Sequence, residues 1–224
     1  MTVSAAIRTN LSKDMRLEWR SKDALNAVGF FALLVVVIFA FSFEPTAEES
    51  RLIAGGIIWV ALLFSTVVAL NQAWSRELRN QVLDAYRLSP ASPAALFAGK
   101  ALANFLFVAA VEAVIAPVFV VFYNLRPLGS GWLLLLLFAL GTWALVVNGT
   151  FFAALSLRTR NREIMLPLLL FPISVPALLA MVECSTALLT GEGPAQMWLK
   201  MLAGYDIIFT ILAVMLFATV LEAE

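Results

Sequence analysis

Histidine is absent from this 224-residue chain, and cysteine occurs once, at Cys184. Without an imidazole there is no nitrogen ligand for zinc or for a cofactor metal and no histidine general base, which removes most metalloenzyme and hydrolase chemistries. With one thiol, neither an internal disulfide nor a cysteine-only metal cluster can form. Charge is scarce as well: 13% of the residues are Asp, Glu, Lys or Arg, against about 25% in an ordinary soluble domain. The formal net charge is zero, and nothing points to a nucleic-acid partner. No Gly-rich loop leads into Lys-Ser or Lys-Thr, and no strand–helix unit exists to hold one, so a nucleotide site is not expected on this chain. Nor is a cleavable signal evident, because the first apolar run starts near Leu25, behind a long amphipathic leader.

Hydrocarbon dominates what is present, at 62% of residues. Apolar runs at about 25–43, 52–73, 96–123, 132–155, 164–182 and 201–220 reach or approach the roughly 20 residues that cross a bilayer core. The expected fold is an all-α polytopic membrane protein with six transmembrane helices in one domain over residues 1–224. Residues 4–23 read as an N-terminal interfacial amphipathic helix, with Ser12 as a candidate cap and Met15, Leu17 and Trp19 among Arg16, Arg20 and Lys22. Six spans place both termini on one side. Twelve basic residues (Arg8, Lys13, Arg16, Arg20, Lys22, Arg76, Arg79, Arg87, Lys100, Arg158, Arg160 and Arg162) fall on that side, and three (Arg51, Arg126 and Lys200) on the other. The bias places the termini and the 76–93 segment in the cytoplasm of a bacterial inner-membrane protein.

That segment, RELRNQVLDAYRLSPASP, is the longest strongly polar interruption. Arg76, Glu77, Arg79, Asp84 and Arg87 alternate with Leu78, Val82, Leu83, Tyr86 and Leu88 in the pattern of a short amphipathic helix. Ser89-Pro90 and Ser92-Pro93 are expected to stop it. Such an element lies against the bilayer or is gripped by another protein; the plainer alternative is a charged loop folded on itself.

Within the spans, Glu112 is a carboxyl at mid-membrane depth, which needs protonation, a partner or water. It is read either as lining a translocation path or as locking two helices together, with Asn148 as the most economical partner. Gly141, Gly149 and Thr150 give span 4 a small-residue surface suited to close packing. Pro117 marks a tilt or break in span 3, and Pro167, Pro172 and Pro176 are expected to kink or break span 5. Asp206, near the start of span 6, is a second buried-acid candidate. Span 2 has no prolines to match those of span 5, which argues against inverted repeats.

Several stretches, in this order, carry a resemblance. Leu11–Phe43 is a basic leader running into a Phe-rich span, and GIIWVALLFSTVVALNQAW covers Gly56–Trp74. LDAYRLSPASPAALFAGKALANFL covers Leu83–Leu106, and LPLLLFPISVPALLA covers Leu166–Ala180. Together they resemble the type-2 ABC exporter permeases, and within them the haem exporter protein B (CcmB) family of cytochrome c biogenesis, over nearly the whole chain. The resemblance implies a non-catalytic membrane subunit that binds no cofactor by itself. ATP and Mg would be held by a separate CcmA-like ATP-binding subunit, and haem would be handled with CcmC-like and CcmD-like membrane subunits. A periplasmic CcmE-like chaperone would receive the haem, and ATP hydrolysis would serve release of the loaded chaperone. It further implies that Glu77–Pro90, including Leu88, Ser89 and Pro90, is a coupling helix docking into the ATPase, with residues 4–23 as the connecting element. Asn80 and Gln81 stand where the family pattern has acid and glycine. Six spans also imply a second copy of the chain, or a similar chain, in the complex. Two alternatives are a permease of the same superfamily for a lipid, polysaccharide or drug, and an ion-coupled secondary transporter using Glu112.

Overall fold

The structure is a computed structural model that describes residues 3–20, 22–42, 47–80, 82, 86, 91–125, 130–157, 159 and 161–222. Seven helices of at least 18 residues hold nearly all of them, and no strand occurs among the described residues. In order they are α1 (Val3–Arg20), α2 (Lys22–Ser42), α3 (Ala47–Arg79), α4 (Pro93–Phe122), α5 (Gly131–Ser156), α6 (Arg162–Thr190) and α7 (Ala195–Glu222). Five of these, α3 to α7, are long and apolar enough to cross a membrane, and Asn26–Ser42 within α2 is a shorter apolar helix.

Helix α3 has 33 residues and a length of about 50 Å at 1.5 Å per residue, well beyond the roughly 30 Å of a bilayer core. Its surplus is polar: Arg76, Glu77, Leu78 and Arg79 form its last turn. These four residues therefore continue the preceding span rather than open a separate short helix. The register explains why the span runs on. Leu70, Ala73, Trp74 and Glu77 are all buried, and their spacing of three and four residues keeps one stripe facing the bundle.

Ser92-Pro93 starts a helix. Ser92 is the N-cap of α4, its hydroxyl accepting from the Ala95 amide at 3.3 Å, and Pro93 follows in the first turn. A serine cap accepts an otherwise orphaned N–H, and proline at the first helical position lacks an N–H that would be unpaired there anyway. Ser12, read from sequence as a cap, lies inside α1, which is already helical at Val3. Pro117 sits inside a continuous α4. Helix α6 likewise runs unbroken through Pro167, Pro172 and Pro176. It ends where Gly191 adopts φ 78°, the left-handed conformation that glycine takes without penalty, and the Gly191 amide donates to the Ala187 carbonyl.

Helix α5 packs against α3, α4, α6 and α7, while α2 lies along α3 and α4 and α1 lies along α4. Glycines set the closest crossings. A Cβ on Gly141 would stand 2.3 Å from the ring of Trp59, a fully buried side chain, and one on Gly149 would meet Leu70. Trp59 also donates from Nε1 to Ser185 Oγ at 2.9 Å, joining α3 to α6. At the opposite end, a Cβ on Gly99 would come within 3.1 Å of the Ile7 carbonyl oxygen, so this glycine lets α1 lie close on α4. The small-residue surface expected on span 4 is thus used for packing.

Candidate functional site

The end of the bundle where α1, the last turn of α3 and the first turns of α4 meet holds a knot of buried charge. On α1, Ala6, Asn10 and Asp14 recur every four residues and are buried, while Arg8, Ser12 and Arg16 are exposed. On α4, Lys100 is buried among Leu96, Phe97, Ala101 and Ala103. Lys100 Nζ lies 2.7 Å from Glu77 Oε1 and 3.1 Å from Asp14 Oδ2. Lys13 Nζ lies 3.0 Å from the same Glu77 oxygen and 3.1 Å from Asp14 Oδ1. Two ammonium groups thus neutralise two carboxylates, the condition under which charges are tolerated away from water. The two lysines are not equivalent: the Lys13 side chain is 36% exposed and that of Lys100 4%.

Tyr86 closes the knot from the stretch between α3 and α4. Lys13 Nζ donates to its hydroxyl oxygen at 2.9 Å, and the hydroxyl donates to Asn10 Oδ1 at 2.8 Å, with Glu77 Oε1 at 3.3 Å. Asn10 Nδ2 in turn donates to the Leu96 carbonyl at 3.0 Å. The lysines also lie over rings, Lys13 at 5.1 Å from the Tyr86 centroid and Lys100 at 5.3 Å from that of Trp74, within cation–π range. Burial opposes the charge on Lys13, but Glu77 first, then Tyr86 and Asp14, hold its ammonium above the usual lysine range. Burial, reinforced by Glu77, pushes the Tyr86 phenol upward too, so it remains a neutral donor. A cleft of about 40 Å³ adjoins the knot, lined by Leu17, Arg76, Asn80 and Val82 together with its charged members.

Of the residues singled out in the polar segment, Glu77 and Tyr86 are buried. Arg76 and Val82 are half-buried, whereas Leu78, Arg79 and Asn80 are exposed. Leu83, Asp84, Arg87, Leu88, Ser89 and Pro90 lie outside the described residues.

The buried polar groups of the spans form a second arrangement, organised by α5. Thr142 Oγ1 donates to Glu112 Oε2 at 2.6 Å, and Asn104 Nδ2 donates to Thr150 Oγ1 at 2.9 Å. Eight residues separate the members on each helix, so both pairs fit one antiparallel register of α4 on α5. The Glu112 partner is therefore Thr142 and not Asn148. Six residues beyond Thr142, at about 100° per residue, Asn148 is turned roughly 120° away and faces α7. There Asn148 Nδ2 donates to Tyr205 Oη at 3.0 Å, and Tyr205 donates to the Ile173 carbonyl on α6 at 2.9 Å. That carbonyl lies in the turn before Pro176, where the proline ring disturbs the helical ladder. Asp206 is buried beside Tyr205, with no hydrogen-bond partner for its oxygens among the described residues. No cluster of three or more metal-ligating side chains occurs among the described residues.

The sequence reading missed Asn10, Asp14 and Thr142 as partners and counted Lys13 and Lys100 only toward charge bias. Their signal was present: Ala6, Asn10 and Asp14 share one helical face, and Lys100 and Asn104 sit four apart among apolar neighbours.

Comparison with known proteins follows the same extent of chain. The model of the family described as "CcmB protein" matches residues 5–224. "Heme exporter protein B" of Rhodobacter capsulatus is 33% identical over 173 residues, covering 77% of this chain and 79% of that protein. The protein of the same name from Paracoccus denitrificans is 31% identical over 184 residues, 82% of this chain and 84% of the relative. That of Pseudomonas aeruginosa is 28% identical over 207 residues, 91% and 92% of the two chains. With the match spanning α1 to α7, and therefore both the charged knot and the α5-centred polar pairs, this chain belongs to the CcmB protein family.

Proposed function

We propose that this chain is the non-catalytic membrane subunit of an ABC-type complex that handles haem for c-type cytochrome biogenesis. The observation that carries the reading is the family match over residues 5–224, together with relatives named heme exporter protein B that cover most of their own length. In this reading the chain crosses the bacterial inner membrane six times, Asn26–Ser42 belonging to the first span, with both termini and the charged knot in the cytoplasm. ATP and Mg belong to a CcmA-like subunit, and haem passes through CcmC-like and CcmD-like membrane partners to a CcmE-like periplasmic chaperone. ATP hydrolysis drives release of the loaded chaperone, and a second copy of this chain completes the membrane unit.

The docking surface for the ATPase is the end of α3 and the stretch that follows it. Leu78 supplies exposed apolar grip beside the charge of Arg79 and the amide of Asn80, the mixture of apolar centre and polar rim expected of a non-obligate interface. Glu77 is assigned to holding this end together rather than to touching the partner. A stiff lever is what a power stroke needs, and a 33-residue helix tied at its end to α1 and α4 is stiff. Deleting the gene and staining membrane and periplasmic fractions for covalently bound haem tests the proposal. Loss of c-type cytochromes, restored by the wild-type gene, is expected; undiminished cytochromes overturn it.

A further inference from the structure

Five of the six side chains in the charged knot come from α1, α3 and α4, and Tyr86, itself helical, comes from the stretch joining α3 to α4. Its hydroxyl receives a proton donor from Lys13 and gives its own proton to Asn10, so both of its shortest bonds are to α1. Helix α1 is itself fastened to α4 by the Asn10–Leu96 bond, the Asp14–Lys100 pair and the close approach at Gly99. The stretch after α3 is therefore connected to α4 by two routes, directly along the chain and through space by way of α1. A side chain tied only to its own hairpin would leave α1 a passenger.

We infer that Tyr86 is a positioning residue that makes α1 move as one body with the stretch between α3 and α4. A displacement of that stretch then reaches the first turns of α4 through α1 as well as through the chain. The inference rests on the reading above, in which an ATP-binding partner engages this stretch. It adds a route for the motion and a residue on which the route depends. The Tyr86 hydroxyl suits the role because its bonds are short and directional, and Lys13 brings charge to one of them. Tyr86→Phe removes both bonds while keeping the ring that lies beneath Lys13.

The test uses the full complex, purified with its ATP-binding subunit in nanodiscs, in a Cys184→Ala background. Spin labels go on the exposed positions Ser12→Cys on α1 and Thr219→Cys at the same end of α7. The expected result is a nucleotide-dependent change in label distance with Tyr86, and no change in the Tyr86→Phe complex although the ATPase still co-purifies. An identical distance change in the Tyr86→Phe complex, or none in the complex with Tyr86 intact, overturns the inference. Failure of any ATP-binding protein to co-purify with the intact chain instead overturns the proposed function. For the chain alone, hydrogen exchange reads the same tie. Tyr86→Phe is expected to speed exchange in residues 3–17 by roughly fivefold to tenfold, and to leave α5 unaffected. Unchanged exchange in Tyr86→Phe contradicts the tie.

Discussion

Replacing Lys100 by methionine tests whether the charged knot holds this end of the bundle together. Lys100 is 4% exposed and sits 2.7 Å from Glu77 and 3.1 Å from Asp14, which are themselves 4% and 5% exposed. Methionine has a similar reach and keeps an apolar contact with Trp74, so the change removes charge with little change in volume. Lys13 is then left to neutralise two carboxylates, and one of the two is buried without compensation. Breaking a buried pair from one side costs about 3–5 kcal/mol. At roughly 2–4 °C per kcal/mol for a chain of this size, a loss of about 6–20 °C in the midpoint of thermal unfolding is expected in detergent or nanodiscs. Glu77→Gln alone should also destabilise, and the Lys100→Met/Glu77→Gln double variant should lose clearly less than the sum of the two. Additivity within about 0.5 kcal/mol, the behaviour of independent sites, would refute the view that these groups form one unit.

The same geometry sets further expectations. Lys13→Met should cost much less than Lys100→Met, about 1 kcal/mol, because its side chain is 36% exposed and its pairs are screened by solvent; comparing the two unfolding midpoints checks this. Gly141→Ala should destabilise by about 1–3 kcal/mol, since the new methyl meets the buried Trp59 ring. Gly56→Ala, which meets nothing within 4 Å, should be neutral or stabilise by up to about 1 kcal/mol through helix propensity. Tyr205→Phe removes the bonds to Asn148 and Ile173 and should cost about 1–3 kcal/mol, read by the same unfolding assay. Glu112→Gln should change stability by less than about 1 kcal/mol, because an amide oxygen still accepts from Thr142; a large loss would show that the charged or protonated acid itself is required.

Long apolar runs made the helical architecture legible before any coordinates, because crossing a bilayer leaves little choice of backbone. What was misread lies where two adjacent signals compete. Ser92-Pro93 serves equally well as a stop for one helix and as a cap and first residue for the next, and the hydrogen bond to Ala95 shows the second use. Glu77 belongs to a run of charged residues and so reads as surface, yet it falls seven residues after the buried Leu70 on the same helical stripe. Once α3 is seen to continue to Arg79, its inward direction follows. The Glu112 partner was misassigned because polarity alone ranks Asn148 above Thr142, whereas angular position on α5 ranks them the other way. The knot depends on Asp14, Glu77 and Lys100, up to 86 residues apart along the chain, and periodicity within one helix carries no information on which faces meet. In α6, three prolines were expected to kink or break the span; the helix is continuous through all three, and Tyr205 donates to the Ile173 carbonyl in the turn before Pro176.

The most direct measurement is to express the tagged chain from its own gene cluster, extract it in mild detergent and identify what accompanies it. The expected result is a soluble ATP-binding protein in stoichiometric amount, with haem-handling membrane subunits, and loss of the ATP-binding protein when Leu78, Leu83 or Leu88 is changed to Asp. A chain that emerges alone, and that fails to bind the ATP-binding protein of the same cluster, would contradict the proposed role.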